Sequence, residues 1–306
     1  MKTTRIEPLE TRIAPATFFV SSVTTEVFTA AGVSAQDDTA TTGDELDARD
    51  FFGVDRAVLL STGDKLVFDY NHNNVADGGE PVLVQVTGGQ ALALLDDIDG
   101  DGHFDPNELV GLAVSDGFAA TIKGDVSGTI VTSLSGGLLS YTGTKLNLLN
   151  ASIASLTVTG NVGDSILAGG SVANLKLGKS IYGASSDESV NRILTGTAVN
   201  GDDYDFGGGP SIETNDFTPA TGAAGGSISN VTLASGAREV RAGDGGANTG
   251  GAGGAGGSVV NLSSTGGFGV NEIVGGDGGS STGGAGGEGG SVTKVKQKTA
   301  LHANSP

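Results

Sequence analysis

One short phrase, recurring along the second half of the chain, limits the fold more than any other feature. Gly-Gly-Ser-Val/Ile-x-Asn/Lys-Val/Leu begins at Gly169, Gly225, Gly256 and Gly289. A fifth copy, starting at Ser152, lacks the glycine pair. Anchored on serine, the copies are spaced by 19, 56, 31 and 33 residues. Such a unit is too small to bury its own apolar face, so it must stack on its neighbours. Leu175 and Leu177 alternate as in a strand. Val172 stands three residues before Leu175, which requires a bend between them. Ile228, Val231 and Leu233 repeat that spacing. The pattern predicts a parallel β-solenoid over residues 140–306, with glycine-rich loops projecting at 242–257 and 275–290. Asp244 and Asp277 precede glycines in those loops, but no second Asp stands in register, so no metal is expected there.

Upstream, residues 46–135 carry short β-branched runs that end in Gly, Asp or Asn: Ala57–Leu60, Leu66–Phe68, Val82–Val86, Leu109–Val114 and Thr129–Thr132. These read as strands of an N-terminal β module. Gln90–Leu95 is ambiguous between a strand and a helical turn. Residues 1–45, rich in Thr, Ala, Ser and Asp, read as a leader and linker. The expected fold class is therefore all-β.

Two twelve-residue acidic stretches lie inside the N-terminal module. In Asp97–Glu108, oxygen-bearing side chains stand at Asp97, Asp99, Asp101, Asp105 and Glu108. Gly102 permits a sharp turn, and the EF-hand pattern that the stretch resembles implies a ligand role for the His103 carbonyl and an anchoring role for Phe104. A hard cation takes six to eight oxygens at about 2.3–2.6 Å, which alternate carboxylates on a tight loop supply. Asp69–Glu80 repeats the spacing with Asp69, Asn71, Asn73, the Val75 carbonyl, Asp77 and Glu80. Asn74 replaces the glycine of the turn. Both stretches resemble EF-hand calcium loops, and that resemblance implies Ca2+ as the bound ion. The flanking runs read as strands rather than helices, so a helix-opening sensor is not expected. Five carboxylates against three make loop 97–108 the tighter site. His72 and His103 occupy loop positions whose side chains normally face solvent. Asp202, Asp203 and Asp205 lack a spaced glutamate and read as a solvated loop.

A second resemblance rests on Leu9, Glu10, Arg12 and the small or apolar residues that follow, within 6–16. This segment is similar to the Leu-Glu-Pro-Arg segment of large surface proteins from planctomycete and verrucomicrobial bacteria. Thr11 replaces the proline of that pattern. The resemblance implies a repeat-rich exported protein, extracellular or on the cell surface.

The net charge of −19 argues against nucleic acid, whose phosphates need a basic partner. The chain has no Cys, which excludes disulfides and thiol chemistry. No apolar run is long enough to span a membrane. Together these features lead to the expectation of a calcium-binding, secreted or cell-surface structural repeat protein of adhesion type, without enzymatic activity. Its partners beyond calcium would be cell-envelope or extracellular-matrix components. The alternatives are a polysaccharide-cleaving β-solenoid enzyme and a calcium-responsive regulatory protein. Against cleavage, the repeats carry few acidic residues on strands, and the chain has no Trp for sugar stacking.

Overall fold

A computed structural model describes residues 17–20, 53–73, 75, 77–142, 145–178, 190–199, 203–204, 212–215, 217–266 and 269–297. The segment 6–16 and the cluster residues Asp202 and Asp205 lie outside the described residues. Two large sheets carry the chain. The first runs Thr17–Val20, Lys65–Phe68, Val82–Gly88, Phe118–Ile122, Ile153–Val158, Val172–Leu177, Ile228–Leu233, Val259–Ser264 and Val292–Thr293. Lys296–Gln297 also pairs with Val259–Ser264. The second runs Arg56–Ser61, Gln90–Leu95, Leu109–Val114, Ile130–Val131, Ser165–Ala168, Val190–Thr195, Gly236–Arg241 and Gly269–Val274. Gln90–Leu95 is thus a strand, since it finds antiparallel partners on both sides.

Both sheets are mixed. The first sheet opens with a parallel pair, Thr17–Val20 on Lys65–Phe68, and both sheets then hold antiparallel pairs, as Lys65–Phe68 with Val82–Gly88 and Gln90–Leu95 with Leu109–Val114. From Phe118–Ile122 onward in the first sheet, and from Leu109–Val114 onward in the second, the pairs are parallel. This corrects the expected fold class. In place of a β module with EF-hand-like calcium loops followed by a parallel β-solenoid, the chain forms two mixed sheets that run through both regions. No α-helix occurs among the described residues, and the one helical turn is the 3-10 segment Gly196–Ala198. An EF-hand needs a helix on each side of its loop, so that module is ruled out.

The core lies between the sheets. Ile153, Val172, Leu175, Ile228 and Val231 of the first join Ile166, Ile193 and Val240 of the second in one buried cluster. A second cluster covers the other face of the second sheet, where Leu92, Leu94, Val131 and Leu167 meet Leu134, Leu139 and Leu146. Covered on both faces, Leu109–Val114 is buried at every position, as a continuous apolar run should be.

Two ladders of polar side chains align the repeats. Each anchoring serine accepts the backbone N–H of the next: Ser152 Oγ from Ser171, Ser171 Oγ from Ser227, Ser227 Oγ from Ser258, and Ser258 Oγ from Ser291, at 2.9–3.0 Å. The bend between Val172 and Leu175 is made by Asn174, with φ 51°. Asn230 and Asn261 take the same left-handed conformation at φ 54° and 58°. Asn is the residue other than glycine that best tolerates it. Asn261 Nδ2 donates to Asn230 Oδ1 at 2.9 Å, and Asn230 Nδ2 donates to Asn174 Oδ1 at 3.1 Å.

The glycine-rich segments do not project freely. They cross the fold in hydrogen-bonded layers. Gly254 N–H donates to Gly246 O at 2.9 Å, Gly279 N–H to Gly254 O at 2.8 Å, and Gly287 N–H to Gly279 O at 2.9 Å. Neighbouring backbones lie so close that a Cβ on Gly254 would sit inside the carbonyl of Ala223, and one on Gly287 inside that of Gly254. Glycine is used here for close approach, with backbone groups supplying the contacts that side chains supply elsewhere.

Candidate metal centre

Each acidic stretch caps an antiparallel hairpin. Asp69–Glu80 joins Lys65–Phe68 to Val82–Gly88 in the first sheet. Asp97–Glu108 joins Gln90–Leu95 to Leu109–Val114 in the second. The loops meet at their tips. The rings of His72 and His103 stack with centroids 4.4 Å apart, and His72 Nε2 lies 3.8 Å from Asp105 Oδ1.

Within loop 97–108 the backbone N–H groups fix the carboxylates. Asp97 Oδ1 accepts from Asp101 at 3.1 Å, and Asp97 Oδ2 from Gly102 at 2.9 Å. Asp99 Oδ1 also accepts from Asp101, and Asp101 Oδ1 accepts from His103 at 2.8 Å. Glu108 closes the loop, with Oε1 accepting from Ile98 at 2.9 Å and Oε2 from Asp105 at 2.6 Å. Gly100 and Gly102, at φ 73° and 85°, allow the chain to turn this tightly. Phe104, 1% exposed, anchors the loop in the core.

The outcome is a cluster in which oxygens of Asp97, Asp99 and Glu108 all lie within 4.8 Å of one another. Glu108 is only 1% exposed. Burial pushes its carboxyl up to about 7, against the backbone hydrogen bonds that favour the charge. Asp96, just before the loop, is pushed up to about 6 by burial and then by the nearby charge of Asp55. Ionised carboxylates held this close repel one another, and a divalent cation among them removes that cost. The cluster can therefore coordinate a divalent metal ion. Asp101 is exposed and Asp105 half-buried on the rim, and neither belongs to the three-residue cluster.

Loop 69–80 repeats four of these hydrogen bonds at matching positions. Asp69 Oδ1 and Asn71 Oδ1 accept from Asn73 N–H, Asn73 Oδ1 from Val75, and Glu80 Oε2 from Asp77. Asp69 is 1% exposed. Two differences separate the loops. Asp77 Oδ2 accepts the side-chain amides of Asn71 and Asn73 at 2.9 and 2.8 Å. These two bonds hold the Asp77 carboxyl below its ordinary value. Glu80 Oε1 is enclosed and has no hydrogen-bond partner among the described residues. Asn74, the expected turn residue, lies outside them.

Sequence spacing missed Asp55. Its Oδ2 accepts Asp97 N–H at 3.1 Å, and its charge bears on Asp96. Asp55 stands 42 residues before Asp97 and reaches the loop only because Arg56–Ser61 pairs with Gln90–Leu95.

No family model matches the chain, and no curated protein or solved structure matches it. Both resemblances are corrected accordingly. Neither EF-hand proteins nor planctomycete and verrucomicrobial surface proteins are supported as relatives. With them falls the reading of a calcium-binding, secreted or cell-surface structural protein, including its EF-hand-like and calcium-binding descriptors. The loops sit between strands, and the cluster of Asp97, exposed Asp99 and buried Glu108 could coordinate a divalent metal ion, with nothing that selects calcium over another. No helix of the described residues is long and apolar enough to cross a membrane.

Proposed function

We propose that the chain is a divalent-cation-binding protein whose main site is the carboxylate cluster of loop 97–108. The observation that carries this is the convergence of Asp97, Asp99 and the buried Glu108 within 4.8 Å. Asp101, the His103 carbonyl and Asp105 would complete the shell, with Asp105 acting through water. Loop 69–80 offers a second, weaker position through Asp69, Asn71, Asn73, the Val75 carbonyl, Asp77 and Glu80. The enclosed Glu80 Oε1 supports it. Among divalent ions, calcium ahead of magnesium is the finer expectation, because an oxygen-rich shell of more than six ligands suits the larger ion.

Isothermal titration of chelator-treated protein with calcium, magnesium and manganese tests this reading. Two events of unequal affinity are expected for the preferred ion. Glu108→Gln should weaken the tighter one roughly tenfold or more, and Glu80→Gln only the weaker. No heat from any of the three ions at millimolar concentration would end the cation reading.

The same carboxylates favour one second reading, polysaccharide cleavage. Glu108, raised to about 7, stands beside Asp97 and Asp99. Two carboxyl groups side by side can share acid and base work when their surroundings set them apart. New reducing ends from a panel of neutral and uronate polysaccharides, lost in Glu108→Gln, would support this reading over a site without turnover.

A further inference from the structure

A pocket of about 280 Å³ opens beside the two loops, lined by Tyr70, Pro81, Pro106, Asn107, Lys123 and Asp125 together with backbone at Gly124 and Gly160 and the side of Thr159. It belongs to neither carboxylate cluster. Its walls nevertheless come from the loops: Tyr70 follows Asp69, Pro81 follows Glu80, and Pro106 and Asn107 precede Glu108. Tyr70 is 69% exposed and leaves a broad apolar ring face uncovered. The remaining wall is firm. Thr159 Oγ1 accepts Gly124 N–H at 2.9 Å, and Asp125 Oδ1 accepts Asn161 N–H at 2.7 Å. A Cβ at Gly124 would come within 3.2 Å of Pro106 O, so the glycine keeps the wall close to the loop.

We propose that this pocket binds a single neutral pyranose unit, its apolar face on the Tyr70 ring and its hydroxyls toward Asn107, Asp125 and Thr159. Three observations select that occupant. The volume is at the small end for ligand pockets, fitting one sugar ring rather than an extended peptide. The lining is mainly apolar, with Tyr70 and two prolines offering flat surface to one face of a sugar ring, and the polar groups of Asn107, Asp125, Lys123 and Thr159 stand only at its edge, where the ring's hydroxyls would lie. The protein's charge of −19, with the acidic loops alongside, disfavours uronates and sulfated sugars. The inference concerns a different ligand from the cation, and it stands even if the loops bind no metal.

Saturation-transfer NMR on the full chain, with methyl glucoside, methyl galactoside, methyl mannoside and N-acetylglucosamine as probes and glucuronate as the charged control, tests it. At least one neutral sugar should receive saturation, glucuronate should not, and titration should move the Gly124 and Gly160 amide resonances. Tyr70→Ala should weaken binding by about tenfold, and Tyr70→Phe should leave it within about threefold. Repeating the titration in chelator separates this idea from the cation reading: binding that persists with unmoved metal heats supports the pocket alone. Silence from all four neutral probes would overturn the proposal. So would binding that leaves the two glycine resonances in place, or that Tyr70→Ala does not change.

Discussion

Gly254→Ala is expected to destabilise the fold by upwards of about 3 kcal/mol, more than any substitution at the carboxylate loops. The added Cβ would be driven into the carbonyl of Ala223 and would lie 3.0 Å from Gly246 N. Both obstacles are backbone, and both segments are pinned by hydrogen bonds on either side: Gly246 N–H to Ala223 O at 2.7 Å and Gly254 N–H to Gly246 O at 2.9 Å. Neither can step aside without breaking a layer. Gly250, a few residues earlier in the same segment, has nothing within 4 Å of its would-be Cβ. Gly250→Ala should be neutral or stabilising by up to about 1 kcal/mol, because it only narrows the unfolded ensemble. Urea melts of the two variants decide the matter. Equal midpoints would mean that these layers do not bear on stability.

The second large effect is a pH dependence that the cation reverses. In chelator the Glu108 carboxyl binds its proton with a value of about 7 in the folded state, against 4.5 when exposed. Asp96 behaves likewise, about 6 against 3.8. Between those values the folded chain holds more protons than the unfolded one, so stability falls as pH rises from about 4 to 7. Asp77, lowered by its asparagine partners, acts in the opposite sense only below 3.8 and so does not disturb this window. The ion-free protein should therefore melt roughly 5 °C higher at pH 5 than at pH 8. With saturating cation the order should invert, since the ion needs Glu108 deprotonated and protons compete with it. Glu108→Gln should flatten the chelator profile over the part of the window that Glu108 contributes. A chelated protein most stable at pH 8 would show that burial at Glu108 does not govern the loop.

The sequence showed some of this plainly. Periodic positions such as Val172, Leu175 and Leu177 are buried as their spacing required, and the bend that the three-residue gap demanded falls on Asn174. The convergence of Asp97, Asp99 and Glu108 was legible because the three lie within twelve adjacent positions. Long-range pairing was not. Thr17–Val20, read as part of a linker, is a strand beside Lys65–Phe68, and nothing local announces a partner that distant. The antiparallel pairs within both sheets were equally hidden, because strand periodicity is the same in either direction. Asp55 was missed for the same reason. Glycine composition misled in another way: it reads as looseness, whereas in 242–257 and 275–290 it permits backbones to touch.

The serine ladder carries a consequence for how such a chain can change. Ser152 and Ser171 are 19 residues apart, and Ser171 and Ser227 are 56 apart, yet each pair is joined by the same kind of bond, an N–H to a seryl oxygen at 2.9–3.0 Å. The rungs are blind to the amount of chain between them. Residues can be gained or lost between rungs while the register of Val172, Ile228 and Val259 stays fixed. The long interval between Ser171 and Ser227 is thus a graft point, where the amount of chain could change without moving the rungs on either side.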